Sequence, residues 1–255
     1  MKRIGIPILT IAIVAALLIP AAAQQLTLEE FLANPHIWNL TGQECNDLEI
    51  CFTGICPCCI QDFFIFWPGG ALPPAEIIPT PTGVCVRWYN PDDPIPPDEA
   101  VHGGLSLTPD CPPPTSFQVT LTYDGKPIAE IPTPWQSWIL GEDGEIIDVL
   151  RYTPGTRDRE PLLIEWQYGV LPEKAPLDVM MPELMDSYLE EVGGEWRESR
   201  SLILYPNTDL HLPIRVSPKD RAAIVSFTAA RPSDPRTILS HSFHQLVFGW
   251  SDPLD

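Results

Sequence analysis

The densest chemistry in this chain is Cys56-Pro57-Cys58-Cys59. Cys56 and Cys59 have the C-x-x-C spacing of disulfide oxidoreductases, in which a thiolate of lowered pKa attacks a partner disulfide. Such a site needs a strand before it and a helix after it, and here the aromatic stretch Phe63 to Trp67 follows instead. A second chemistry is metal binding: Cys51, Cys56, Cys58 and Cys59 could supply four thiolates, with His36 or His102 as substitutes. A third is plain structural bridging. All seven cysteines, namely Cys45, Cys51, Cys56, Cys58, Cys59, Cys85 and Cys111, are candidates for it, and none lies beyond Cys111.

Compartment decides among these. Lys2 and Arg3 precede an apolar run from Ile4 to Ile19, and Pro20-Ala21-Ala22-Ala23 supplies the small residues of an A-x-A cleavage site. This pattern predicts a secretory signal over residues 1–23. The run is short for a spanning helix, which needs about 20 apolar residues, so no transmembrane span is expected after cleavage. Export to a periplasmic or extracellular space favours disulfides over thiolate metal sites. The reading adopted is therefore structural bridging, with no catalytic, cofactor-binding or metal-ligating residue and no cofactor. Seven is odd, so three bridges and one hidden or intermolecular thiol are expected, and their connectivity is open.

Other reactive side chains form weaker patterns. His241 and His244 would share a face only on a helix, and no carboxylate has convincing spacing to them before Asp252. His211, Glu190-Glu191 and Asp92-Asp93 read as solvated. Trp67, Trp88, Trp135, Trp138 and Trp166 could form a ligand-binding face, although tryptophan is more often core. No Gly-x-Ser-x-Gly elbow, H-E-x-x-H pair or phosphate-cradling loop is present.

The elements that must position these residues fall into two regions after the leader. Residues 24–114 are rich in cysteine and proline; residues 115–255 form an α+β region, which could continue the same domain. Prolines in clusters between Pro68 and Pro114 predict extended connections there. Leu26 to Leu32 reads as a short helix capped by Thr27 and ended by Pro35. Ile60 to Trp67, Val84 to Tyr89 and Leu162 to Val170 read as strands. Phe117 to Tyr123, Asp124-Gly125 and Lys126 to Ile131 predict a hairpin, and Trp135 to Leu140 with Glu145 to Leu150 a second. Pro182 to Val192 is a predicted helix stopped by Gly193-Gly194. Pro218 to Ala230 is a predicted helix capped by Ser217, with Asp220 reaching back. Ser201 to Tyr205 reads as a strand, and Thr237 to Trp250 as strand or helix. The expected class is α+β: a disulfide-stapled, proline-rich N-terminal part, then antiparallel hairpins with two or three helices.

Charge limits the partners. The net charge of −19 becomes −21 once Lys2 and Arg3 are removed, which repels nucleic-acid phosphates and anionic lipid. Direct nucleic-acid binding is not expected.

Gly54-Ile55-Cys56 with Cys58 and Cys59, followed by Val86-Arg87-Trp88-Tyr89-Asn90-Pro91-Asp92, resembles the cysteine-rich core of TraU-like conjugative-transfer proteins, including relatives from integrating conjugative elements. Pro182-Glu183-Leu184-Met185-Asp186, then Tyr205-Pro206 before the segment Asp220 to Val225, resembles the order of elements late in those proteins. The resemblance implies an exported, disulfide-bonded accessory component of a type IV secretion or conjugative DNA-transfer apparatus. Its partners would be other secretion or pilus-assembly proteins. It also implies that Cys56, Cys58, Cys59 and Cys85 are structural.

Overall fold

Extended strands make up most of the described chain. A computed structural model describes residues 25–108, 111–112, 114–140, 145–154, 159–175 and 185–251. The predicted leader, residues 141–144 and Pro182 to Leu184 lie outside them. Among the described residues, fifteen strands form three antiparallel sheets. The largest runs β12 (Glu195–Leu204), β11 (Leu162–Pro172), β14 (Asp220–Arg231), β15 (Asp234–Ser251), β1 (Gln25–Trp38), β6 (Ala100–Leu107) and β3 (Ile60–Phe66). A second runs β4 (Ala75–Thr80), β5 (Gly83–Tyr89), β2 (Asp47–Thr53), β7 (Ser116–Tyr123) and β8 (Lys126–Ile131). The third runs β13 (Asp209–Arg215), β10 (Glu145–Arg151) and β9 (Trp135–Leu140). Both large sheets draw strands from each side of residue 115.

The α+β expectation is overturned. The protein is mostly antiparallel β-sheet, and among the described residues only α1 (Met185–Val192) is a helix of seven or more residues. Gly193 ends α1 in the left-handed region at φ 73°, and Gly194 N–H bonds back to Leu189 O at 2.8 Å.

Two predicted helices are strands. Leu26 to Leu32 lies in β1, and Thr27 Oγ1 donates to Gly249 O of β15 at 3.1 Å instead of capping. Pro218 to Ala230 becomes β14, flanked on both sides by β11 and β15. Asp220 does reach back as expected, its Oδ2 accepting from Ser217 N–H at 2.7 Å, but the Ser217 hydroxyl donates to the same Oδ2 at 3.0 Å instead of accepting from a backbone N–H. Asp220 N–H then bonds to Ser217 O at 2.8 Å, so the motif closes a turn into a strand. A central strand buried on both faces carries a near-continuous apolar run, which periodicity alone does not separate from a buried helix.

One core joins the sheets. Ile37, Val101, Ile164, Trp166, Val225, Phe227 and Leu246 of the seven-stranded sheet pack with Leu48, Ile50, Val86, Trp88, Val119 and Leu121 of the five-stranded sheet and with Ile146, Leu150 and Leu212 of the three-stranded one. A smaller cluster lies on the opposite face, where Tyr188 and Leu189 of α1 cover Ala222, Ile224, Phe243 and Val247. Prolines between Pro68 and Pro114 predicted mostly extended connections, with a strand at Val84 to Tyr89; that strand is β5, and β4 and β6 lie there as well. Pro79 is accommodated because β4 is an edge strand. The Asp124-Gly125 turn forms as expected, with φ of 49° and 72°.

Candidate functional site

The cysteine cluster sits where the two large sheets meet. Cys51 of β2 and Cys85 of β5 are direct cross-strand partners and are bonded, stapling the five-stranded sheet. Pro57–Cys59 forms a single 3-10 turn closed by Cys59 N–H to Cys56 O at 3.0 Å. Proline opens this turn at no cost, because its missing N–H would have had no partner there. Cys56 is bonded to Cys58, and Cys59 to Cys111. Cys56 and Cys59, the C-x-x-C pair, are not bonded to each other, although their sulfurs are 3.7 Å apart. Cys45 is the free cysteine and is fully buried; burial pushes its thiol above the ordinary value, and a hydrogen bond with Thr41 partly offsets this. Cys51, Cys56, Cys58 and Cys59 are therefore all in disulfides and present no thiolates to a metal.

Histidines form a second cluster that sequence spacing did not show. His102 of β6 pairs directly with His36 of β1, which pairs with His241 of β15. Residues opposite each other across strands point to one face, so the three imidazoles form a row. His36 Nε2 and His102 Nδ1 are 2.6 Å apart, so one ring donates and the other accepts. Burial, then the neighbouring His36 and His241, lowers His102 to about 3. His241 Nε2 lies 2.9 Å from Ser226 Oγ. His244, three residues on, points to the opposite face of the strand. There it stacks on Phe227 with centroids 5.9 Å apart and meets the edge of Trp138. Complete burial lowers it to about 3. The shared helix face considered for His241 and His244 does not exist, because residues three apart on a strand face opposite ways.

Two buried carboxylates have structural work. Asp47 accepts from Arg87 Nε at 3.0 Å, from Thr122 Oγ1 at 2.6 Å and from Gly125 N–H at 2.9 Å, locking the Asp124-Gly125 hairpin to β2 and β5. Asp148 of β10 accepts from Gln136 Nε2 and from Trp166 Nε1, the latter at 2.7 Å, joining the three-stranded sheet to β11. Burial outweighs these bonds and raises Asp148 to about 7. Trp67, Trp88, Trp135 and Trp166 are buried and Trp138 is half-buried, so they line the interior and present no exposed platform.

The segment Val86 to Asp92 proves to be strand and turn. Trp88 is core, Arg87 pairs with Asp47 at 2.7 Å, Tyr89 donates to Asp124 Oδ1 at 3.3 Å, and Asn90 N–H bonds to Asn46 O at 2.8 Å. His211, Glu190, Glu191, Asp92 and Asp93 are exposed. No helix among the described residues is long and apolar enough to cross a membrane.

Sequence alone also missed an open sheet edge. The outer side of β3 has no partner strand among the described residues. Phe66 at its end is 43% exposed, and Leu72 and Ile77 in the following segment are 73% and 38% exposed. Asp62 and the register shift between Ile60 and Asp62 blunt the start of this edge, whereas Phe63 to Phe66 carries no proline, charge or bulge.

Compared with known proteins, the chain matches no family model, no curated protein and no solved structure.

Proposed function

We propose that this protein is an exported, disulfide-stapled accessory component of a type IV secretion or conjugative DNA-transfer apparatus, and that it acts through protein contacts. The observation that carries the contact role is the open outer edge of β3 along Phe63 to Phe66, with Phe66 exposed at its end. An open edge offers a row of backbone donors and acceptors to an added strand, and flanking apolar side chains supply affinity. The assignment to a secretion apparatus rests on the resemblance carried by Gly54 to Cys59 and Val86 to Asp92. The later part of the resemblance lends less, because Asp220 to Val225 is strand and not helix. The acidic surface fits a role beside the transferred DNA and not on it.

The test uses the native host. A photo-crosslinking residue at Phe66 is expected to capture a secretion or pilus subunit. Phe66→Lys, with protein level unchanged, is expected to lower transfer frequency by at least about tenfold, whereas Ile139→Lys on β9 leaves it unchanged. Deleting the gene without any loss of transfer sinks the secretion assignment; normal transfer by Phe66→Lys sinks the role of the edge alone.

A further inference from the structure

Two of the three bridges are stacked, one at the surface and one behind it. Cys56 and Cys58 are exposed, and Cys59 is 2% exposed. The 3-10 turn places Cys56 Sγ 3.7 Å from Cys59 Sγ, near van der Waals contact and within easy reach of attack. Behind Cys59, Cys111 is carried by a turn in which its N–H bonds to Thr108 O at 3.0 Å, while Thr108 N–H bonds to Cys59 O at 2.9 Å. Thr108 Oγ1 donates to Cys111 Sγ at 2.9 Å, a donor already aimed at the sulfur that would leave. A hydrogen bond to a thiolate stabilises it as leaving group and speeds exchange.

We propose that Cys56, Cys58, Cys59 and Cys111 form a thiol–disulfide exchange site, in which an external dithiol reduces the exposed bridge and Cys56 passes the opening inward to Cys111. A thiolate of the dithiol attacks Cys58 Sγ. A mixed disulfide forms, the Cys56–Cys58 bond breaks, and the electron pair goes to Cys56. The Cys56 thiolate attacks Cys59 Sγ; a Cys56–Cys59 bond forms, and the Cys59–Cys111 pair goes to Cys111 beside the Thr108 hydroxyl. The second thiolate of the dithiol attacks its own sulfur in the mixed disulfide and leaves Cys58 reduced. The dithiol ends as a disulfide, its two protons end on Cys58 and Cys111, and the protein loses one bridge. The C-x-x-C pair is thus the product of the exchange. Its effect is to untie the segment between β6 and β7 from the 3-10 turn, while the Cys51–Cys85 staple stays closed inside its sheet.

The experiment treats the exported, oxidised protein with one equivalent of dithiothreitol at mildly alkaline pH. Acid quenching, maleimide labelling and fragment-ion mapping of the cysteine peptides follow. Besides the free Cys45, which is labelled with or without reductant once the quenched protein unfolds, new labels on Cys58 and Cys111 with a Cys56–Cys59 bridge are expected. Labels on Cys56 and Cys58 with Cys59–Cys111 intact overturn the proposal, as does any other first-formed pattern, including none. The paired substitution Cys56→Ser with Cys58→Ser removes the entry bridge and is expected to slow labelling of Cys111 by about tenfold or more. Labelling at the wild-type rate in that variant also overturns it. The wild-type pattern decides the matter on its own should the variant fail to fold.

Discussion

Asp148 shows how one buried side chain can carry a pH signature. Its folded value is raised to about 7 by burial, above the ordinary carboxylate value near 4 that it has in the unfolded chain. Between those values the folded state holds a proton that the unfolded state has lost, so this group's contribution falls as pH rises through that window. His102 and His244 act the opposite way. Both are lowered to about 3, so the unfolded chain binds their protons first and their contribution is lost as pH falls below about 6.5. Asp148→Asn removes the carboxylate and sets an amide against one of its two donors, at a cost of about 1–3 kcal/mol. The expected signature is a cost that is larger near pH 4 than near pH 8, measured by denaturant unfolding of both proteins. An equal cost at both ends removes Asp148 from this role.

At the scale of elements, the hairpins were legible and the central strands were not. Asp124-Gly125 between alternating runs announces its turn locally, because positive φ at two successive residues needs those residue types. β14 announces nothing local: Ser217, Pro218 and Asp220 are helix-opening residues, and the apolar run after them fits either periodicity. What makes it a strand is β11 on one side and β15 on the other, partners distant in sequence. The candidate site divides in the same way. Cysteine content was plain from the sequence, whereas the histidine row needs three strands in register. The tight link between β4 and β5 gives a further prediction. A Cβ at Gly83 would lie 1.9 Å from Phe52 O, so β2 and β5 must part beside the Cys51–Cys85 bridge. Gly83→Ala is expected to cost about 1–3 kcal/mol by this overpacking, read as a lowered unfolding midpoint. An unchanged midpoint means that the backbones are not in this close approach.

The whole molecule is set by charge and by the closure of two sheets on one core. With a net charge of −19, the folded chain repels itself, and exposed charges are screened over about 10 Å at moderate ionic strength. Raising sodium chloride from about 10 mM to about 150 mM is therefore expected to raise the melting temperature. A fall would mean that exposed ion pairs such as Arg151–Asp209 outweigh the repulsion. The strand-rich core also fits the proposed contact role, since sheets that do not close leave edges, and β3 is one.

What the sequence alone determined about this protein is local: the cysteine inventory, the acidic surface, the Asp124-Gly125 hairpin and the glycine stop after α1. Each depends on residues within a few positions of one another. Tertiary structure alone decided which cysteines are joined, that His36, His102 and His241 line up while His244 turns inward, and that β1 and β14 are strands. These depend on backbone hydrogen bonds and burial between segments as far apart as β1 and β15, and the short-range pattern of residues carries no record of that pairing.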